Sequence, residues 1–138
     1  MRVLTKGLTI FIILLLFSGC QKNIQTMEVL RPNWSEATLK VTGIAKIQNG
    51  DAADRLMSLQ KAKSDAFKKL KEELLNIMIT DTKTISEYIK DKEAVKGQVE
   101  DFIKRGKVTE VRHIPSDNNI EVDIELYLGK GFESIILK

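Results

Sequence analysis

The chain has 138 residues, with 22 basic and 19 acidic side chains, one histidine and one cysteine. The net charge is +3, and it falls to +1 without Arg2 and Lys6 of the first nineteen residues, which leaves no basic footprint for nucleic acid. A single cysteine excludes a disulfide within the chain, and one histidine beside it can complete neither a hydrolytic triad nor a zinc cage.

Arg2 and Lys6 make a short basic start, and Leu8 to Phe17 is apolar apart from Thr9. A spanning helix needs about 20 apolar residues and a secretion signal about 7 to 15, so the run reads as a signal. Phe17-Ser18-Gly19-Cys20 follows directly. Small residues at Ser18 and Gly19 admit a peptidase, and the Cys20 thiol can take a diacylglyceryl group. The pattern resembles the lipobox of bacterial lipoproteins, with Phe17 where leucine is usual. That resemblance implies a signal peptide over residues 1–19 and lipid attachment at Cys20. Several acyl chains together give stable attachment where one does not. Gln21 replaces the aspartate that retains many such proteins at the inner membrane, which implies the outer membrane. Removing residues 1–19 takes away Arg2 and Lys6 and leaves 20 basic against 19 acidic residues, enough chain for one domain.

Residues 20–36 have no sustained period and contain Pro32-Asn33, so a lipidated tether is expected there, with a single α+β domain over 37–138. Trp34, the only tryptophan, could sit at the lipid headgroup boundary; packing over the edge of the domain is the expectation. From Leu39 to Ile47, Leu39, Val41, Gly43, Ala45 and Ile47 alternate with Lys40, Thr42, Ile44 and Lys46, which predicts a half-buried strand. Gly43 and Ala45 would let a helix approach closely at mid-strand. Asn49-Gly50-Asp51 supplies a turn and a candidate cap. An amphipathic helix is then expected over about 51–78, with Leu56, Leu59, Ala66, Phe67, Leu70, Leu74 and Ile77 in one arc. Lys61, Asp65, Lys68 and Glu72 fall opposite on a solvated face of mixed sign. Lys63 lies inside the arc and should lay its stem along the core.

Thr84-Ile85-Ser86-Glu87 has capping-box spacing and predicts a short helix. Another is expected over about Glu93 to Arg105, interrupted by Gly97 and ended by Gly106. Lys107 to Ile114, the turn Pro115-Ser116-Asp117-Asn118-Asn119 and a strand with Ile120, Val122, Ile124, Leu126 and Leu128 on one face form a β-hairpin. Val108 and Val111 are out of phase, the mark of a bulge or a misplaced end. Gly129 and Gly131 then read as a turn closing the hairpin, with Ile135-Ile136-Leu137 docking as an apolar tail. The fold class is α+β, with helices on one face of a three-stranded sheet.

Glu121, Asp123 and Glu125 share the outward face of one strand, roughly 7 Å apart in succession, too far to chelate one ion without help. Cross-strand pairs with Lys40 or Lys46 are expected instead. His113, near a strand end, has no chemical partner in the sequence, and Gly129-Lys130-Gly131 lacks the rest of a phosphate-loop pattern. No cofactor, metal or catalytic residue is assigned, and the domain is read as non-enzymatic.

Val41-Thr42-Gly43-Ile44-Ala45, Lys61-Ala62-Lys63-Ser64-Asp65-Ala66-Phe67-Lys68-Lys69-Leu70 and the stretch from Val99 to Val108 resemble the LPP20 family of lipoproteins, above all its flagellar outer-membrane members. The resemblance covers about residues 39–128. It departs at Asn76 and Asp101, where glycine is usual, and at Lys107, where alanine is. It implies a structural part that assembles into a ring or disk around the flagellar motor, under the outer membrane, and is needed for motility. The partners implied are further copies of the chain and other motor proteins, with no nucleic acid. The alternative is a general envelope or surface lipoprotein acting as a monomeric binding module or adhesin.

Overall fold

In this computed structural model residues 33–138 are described, so the leader, Cys20 and the tether as far as residue 32 lie outside the described residues. The alternation after residue 37 becomes strand β1, Thr38–Lys46, and the hairpin becomes β4, Lys107–Ile114, and β5, Asn119–Tyr127. All pairing among them is antiparallel, in the order β1-β5-β4. β5 is therefore central, and its Ile120, Val122, Ile124 and Leu126 are buried in strict alternation. β1 runs against β5 without a break, from Thr38 opposite Tyr127 to Lys46 opposite Asn119. Both ends are pinned. Leu128 N–H donates to the Ala37 carbonyl at 3.0 Å, and Ile47 N–H donates to the Asn118 carbonyl at 2.8 Å. Asn118 also donates its side-chain amide to the Ile47 carbonyl at 2.8 Å, from a φ of 51° that asparagine tolerates better than most residues.

Helix α1, Ala52–Leu75, crosses β1 and β5 on one face. Its cap is Asp51, which accepts the Asp54 N–H at 2.7 Å. The Asp54 carboxylate in turn accepts N–H groups from Gln48, Asn49 and Gly50, tying the strand-to-helix turn to the first helical turn. The buried line is Ser58, Ala62, Ala66, Leu70 and Leu74, one residue every four. Gly43 lies under it so closely that an added Cβ would be 2.0 Å from the Ala62 carbonyl oxygen and 2.4 Å from the Ala66 nitrogen.

This approach narrows the expected apolar arc. Leu59 and Phe67 are half-buried, Lys63 is exposed, and Leu56 is 58% exposed. With the helix axis drawn onto the small residues of β1, the flanks of the arc turn away from the sheet. The expected run to residue 78 also stops short. Asn76 N–H closes on Glu72 and Glu73, and Met78–Thr80 (β2) pairs with Lys83–Thr84 (β3) in a two-stranded ribbon. Ile77 fitted the helical period and concealed that end.

Thr84 and Glu87 form the capping box reciprocally and start α2, Ile85–Ile89. Helix α3, Glu93–Ile103, passes through Gly97 uninterrupted, its burial of Val99, Phe102 and Ile103 offsetting the poor helix propensity of glycine. The expected closing turn is instead the start of α4, Gly129–Ile136, in which Phe132 and Ile136 are buried. The two glycines concealed it because glycine is poor in helices. Gly129 is needed at φ 56°, where a Cβ would lie 2.5 Å from the Tyr127 ring.

Phe132 joins the two ends of the domain. Its ring meets Phe102 at 5.1 Å and Trp34 edge-on at 5.7 Å. Trp34 is 7% exposed within a short 3-10 turn, Asn33–Glu36, so the last residues expected in the tether belong to the fold. Packing against the domain is the reading of Trp34 that holds.

Candidate functional site

Cys20, the one site residue the sequence assigns, lies outside the described residues. Within them, chemistry-bearing side chains gather on the outer face of the sheet. The hairpin register sets Arg112 opposite Glu121. Its guanidinium reaches Glu121 at 3.0 Å and Glu110 at 2.7 Å, and contacts Asp123 more closely still. Thr42 donates to Asp123 from β1 at 2.7 Å. Lys40 pairs with Glu125 at 2.7 Å as expected, whereas Lys46 stands opposite Asn119 rather than a carboxylate.

The three carboxylates are thus neutralised from both neighbouring strands, and among the described residues no group of three His, Cys, Asp or Glu side chains is placed to hold a metal ion. Arg112 was not singled out in the sequence, although counting back from the hairpin turn would have set it opposite Glu121. Its hydrogen bonds to Asp123, Glu121 and Glu110 raise its own pKa and hold the Asp123 carboxyl below the ordinary 3.8, with help from Thr42.

A pH dependence follows. A carboxyl whose folded pKa is depressed contributes stability that is complete above its unfolded pKa and is lost as pH falls through the folded one. Asp54, held down by N–H groups of Asn49, Gly50 and Gln48, and Asp65, held down by Lys69 and the Ile44 N–H, act in the same direction. The unfolding midpoint should therefore drop as pH falls below about 4. Asp123→Asn should lower stability at neutral pH and flatten that drop in a thermal titration followed by circular dichroism. An unchanged slope would show that the Asp123–Arg112 contact is not maintained in solution.

The two edges of the sheet differ. Odd-numbered residues of β1 bond to β5, so Thr42, Ile44 and Lys46 turn their backbone groups outward. Side chains of α1 fold down over them. Asp65 accepts the Ile44 N–H at 3.0 Å, Lys69 donates to the Thr42 carbonyl at 2.9 Å, and Ser58 donates to the Lys46 carbonyl at 2.9 Å. Asp65 is therefore half-buried at the sheet edge rather than on the solvated face, with Lys69 beside it at 2.9 Å.

α1 packs on β1 and β5 and leaves β4 largely uncovered. Most of its residues are exposed, and a bulge between Val108 and Glu110 puts both Val108 and Val111 on the helix-facing side of the sheet. There they remain 41% and 51% exposed. Arg55, Leu56, Leu59, Val111, Arg112, His113 and Ile120 line a shallow groove of ≈ 320 Å³ between the start of α1 and β4. His113 thus stands at a surface edge.

A second, more enclosed cleft of ≈ 190 Å³ opens between α1, α2 and α3. Leu75, Ile89, Val99 and Ile103 form its floor, and the Lys71–Glu100 pair at 2.9 Å stands on its rim. Small-molecule sites usually enclose about 300–1,000 Å³. No protein-family model, curated protein or solved structure was found to match the chain.

Proposed function

We propose that this chain is a lipoprotein held to the outer membrane through Cys20 and that it serves as a non-enzymatic structural component of the flagellar motor. Copies assemble into a ring or disk beneath that membrane, and the assembly is needed for motility. The leader with Phe17-Ser18-Gly19-Cys20 and the resemblance over residues 39–128 support the anchor and the setting.

The observation that carries self-association is the contrast between the edges of the sheet, which by itself joins copies in pairs and leaves the ring to further contacts between those pairs. One is closed by side chains of α1, while the other offers an exposed strand with uncovered valines. Soluble domains usually protect such an edge, and a partner strand is the simplest cover for one left open. Anchoring all copies in one lipid plane raises their local concentration, so a weak contact suffices.

The anchor is tested by mass spectrometry of the membrane fraction, which should find a mature chain beginning at acylated Cys20. Cys20→Ala should leave the chain unprocessed or release it from the membrane, and swimming should fail. An unlipidated mature chain, or normal swimming by the Cys20→Ala strain with the protein released, rejects the anchored structural part. A second reading, a general envelope or surface lipoprotein that binds ligands as a monomer, would use the apolar cleft over Leu75, Ile89, Val99 and Ile103, which at ≈ 190 Å³ is smaller than most small-molecule sites.

A further inference from the structure

We infer that β4 pairs with β4 of a second copy, antiparallel and about a two-fold axis through Val111, joining two three-stranded sheets into one of six strands. This rests on the self-association in the proposed function and not on its flagellar setting.

The backbone is available on that side. Even-numbered residues of β5 bond to β1, so its odd-numbered residues bond to β4, through Glu110, Arg112 and Ile114. Val111 and His113 consequently aim their N–H and carbonyl groups away from β5, at the open edge. A second strand can take up those groups, whereas at β1 the equivalent positions are already bonded by Asp65, Lys69 and Ser58.

The side chains select the partner and the register. With Val111 opposite Val111 of the second copy, Glu110 stands across from Arg112 of that copy, and Arg112 across from its Glu110. Both residues lie on the outer face of the sheet, in line with Glu121 and Asp123. Each Arg112 would then be flanked by its own Glu121 and Asp123 on one side and by a carboxylate of the second copy on the other. A one-residue slip would face the open groups of Val111 with those of Glu110 or Arg112, which are bonded to β5, and a two-residue slip sets Glu110 opposite Glu110 or Arg112 opposite Arg112, so the charges select this register. On the helix-facing side the two Val111 side chains, 51% exposed in the single chain, cover one another. Beside them lies the groove of Leu56 and Leu59, with the exposed Met57 next in sequence. Two-fold pairing of like strands is isologous, so the sequence need satisfy only itself. Glu110, Val111 and Arg112 do so, an acid and a base placed symmetrically about an apolar centre.

The test is disulfide trapping in the full-length lipidated chain, reconstituted in liposomes and oxidised. Val111→Cys lies on the axis and should be captured as a covalent dimer, because the facing Cα atoms of such a pair stand about 5.5 Å apart, within disulfide reach. Lys90→Cys, at the exposed residue that follows α2, should not be captured beyond the wild-type background. Adding Glu110→Lys to Val111→Cys sets like charges opposite each other twice and should reduce trapping by roughly tenfold. If Val111→Cys forms no more dimer than Lys90→Cys while sedimentation of the wild-type chain shows oligomers, β4 pairing is wrong and self-association stands. If the wild-type chain sediments as a monomer and no variant is trapped, both fall.

Discussion

Gly43→Ala should cost the domain about 3 kcal/mol or more, enough to leave a substantial part of it unfolded at growth temperature. The added methyl would lie 2.0 Å from the Ala62 carbonyl oxygen, 2.4 Å from the Ala66 nitrogen and 2.7 Å from the Ala66 Cβ. Two of those three atoms are helix backbone, which no rotamer change can move. Relief requires lifting α1 from β1, which would also break the Asp65 and Lys69 contacts that close the β1 edge. Ala66→Gly in the same chain removes only one of the three clashes and should not restore the midpoint. Gly97→Ala, where a Cβ meets open space inside α3, should instead raise stability, by up to about 1 kcal/mol. Thermal unfolding followed by circular dichroism checks all three; a Gly43→Ala midpoint close to wild type would mean that α1 sits higher on the sheet than described.

Leu70→Asp should be comparably damaging, at about 4 kcal/mol or more, because it removes apolar packing and leaves a carboxylate among apolar neighbours. Leu70 is fully buried on the centre line of α1, four residues from both Ala66 and Leu74. Lys68→Asp, two positions earlier, lies on the exposed side and should change stability by less than about 0.5 kcal/mol. Urea unfolding of the two variants separates them, and equal losses would mean that the helical register is wrong.

Elements whose pattern repeats were legible before the structure. The alternation of β1 and β5, the cap at Asp51 and the reciprocal Thr84–Glu87 box all follow from local spacing, and each forms as read. Val108 and Val111 falling out of phase marked either a bulge or a misplaced strand end, and the register shift between Val108 and Glu110 is the bulge. What the sequence concealed depended on contacts between distant segments. Leu56 and Lys63 fit an apolar arc drawn for an isolated helix, but the arc actually buried is set by Gly43, nineteen residues before Ala62. Helix α4 was hidden because Gly129 and Gly131 weigh against helix locally, whereas Phe132 wins by packing against Trp34 and Phe102.

The candidate surface was only partly visible for the same reason. Lys40 and Glu125 could be matched from neighbouring strands, but Arg112 emerges only once the hairpin register is fixed. The role of Asp65 and Lys69 in closing the β1 edge requires knowing which strand is outermost. Strand order is a property of the assembled sheet, and no periodicity within a segment encodes it.

The proposed place of this domain in the flagellar motor is open to test in the cell. The most direct measurement is electron cryotomography of motors in intact cells with and without the gene, paired with swimming assays. Under the proposed function the deletion strain loses a ring or disk of density beneath the outer membrane and swims poorly, and the wild-type gene restores both. An unchanged motor outline with normal swimming would contradict it and leave the general envelope lipoprotein as the better reading.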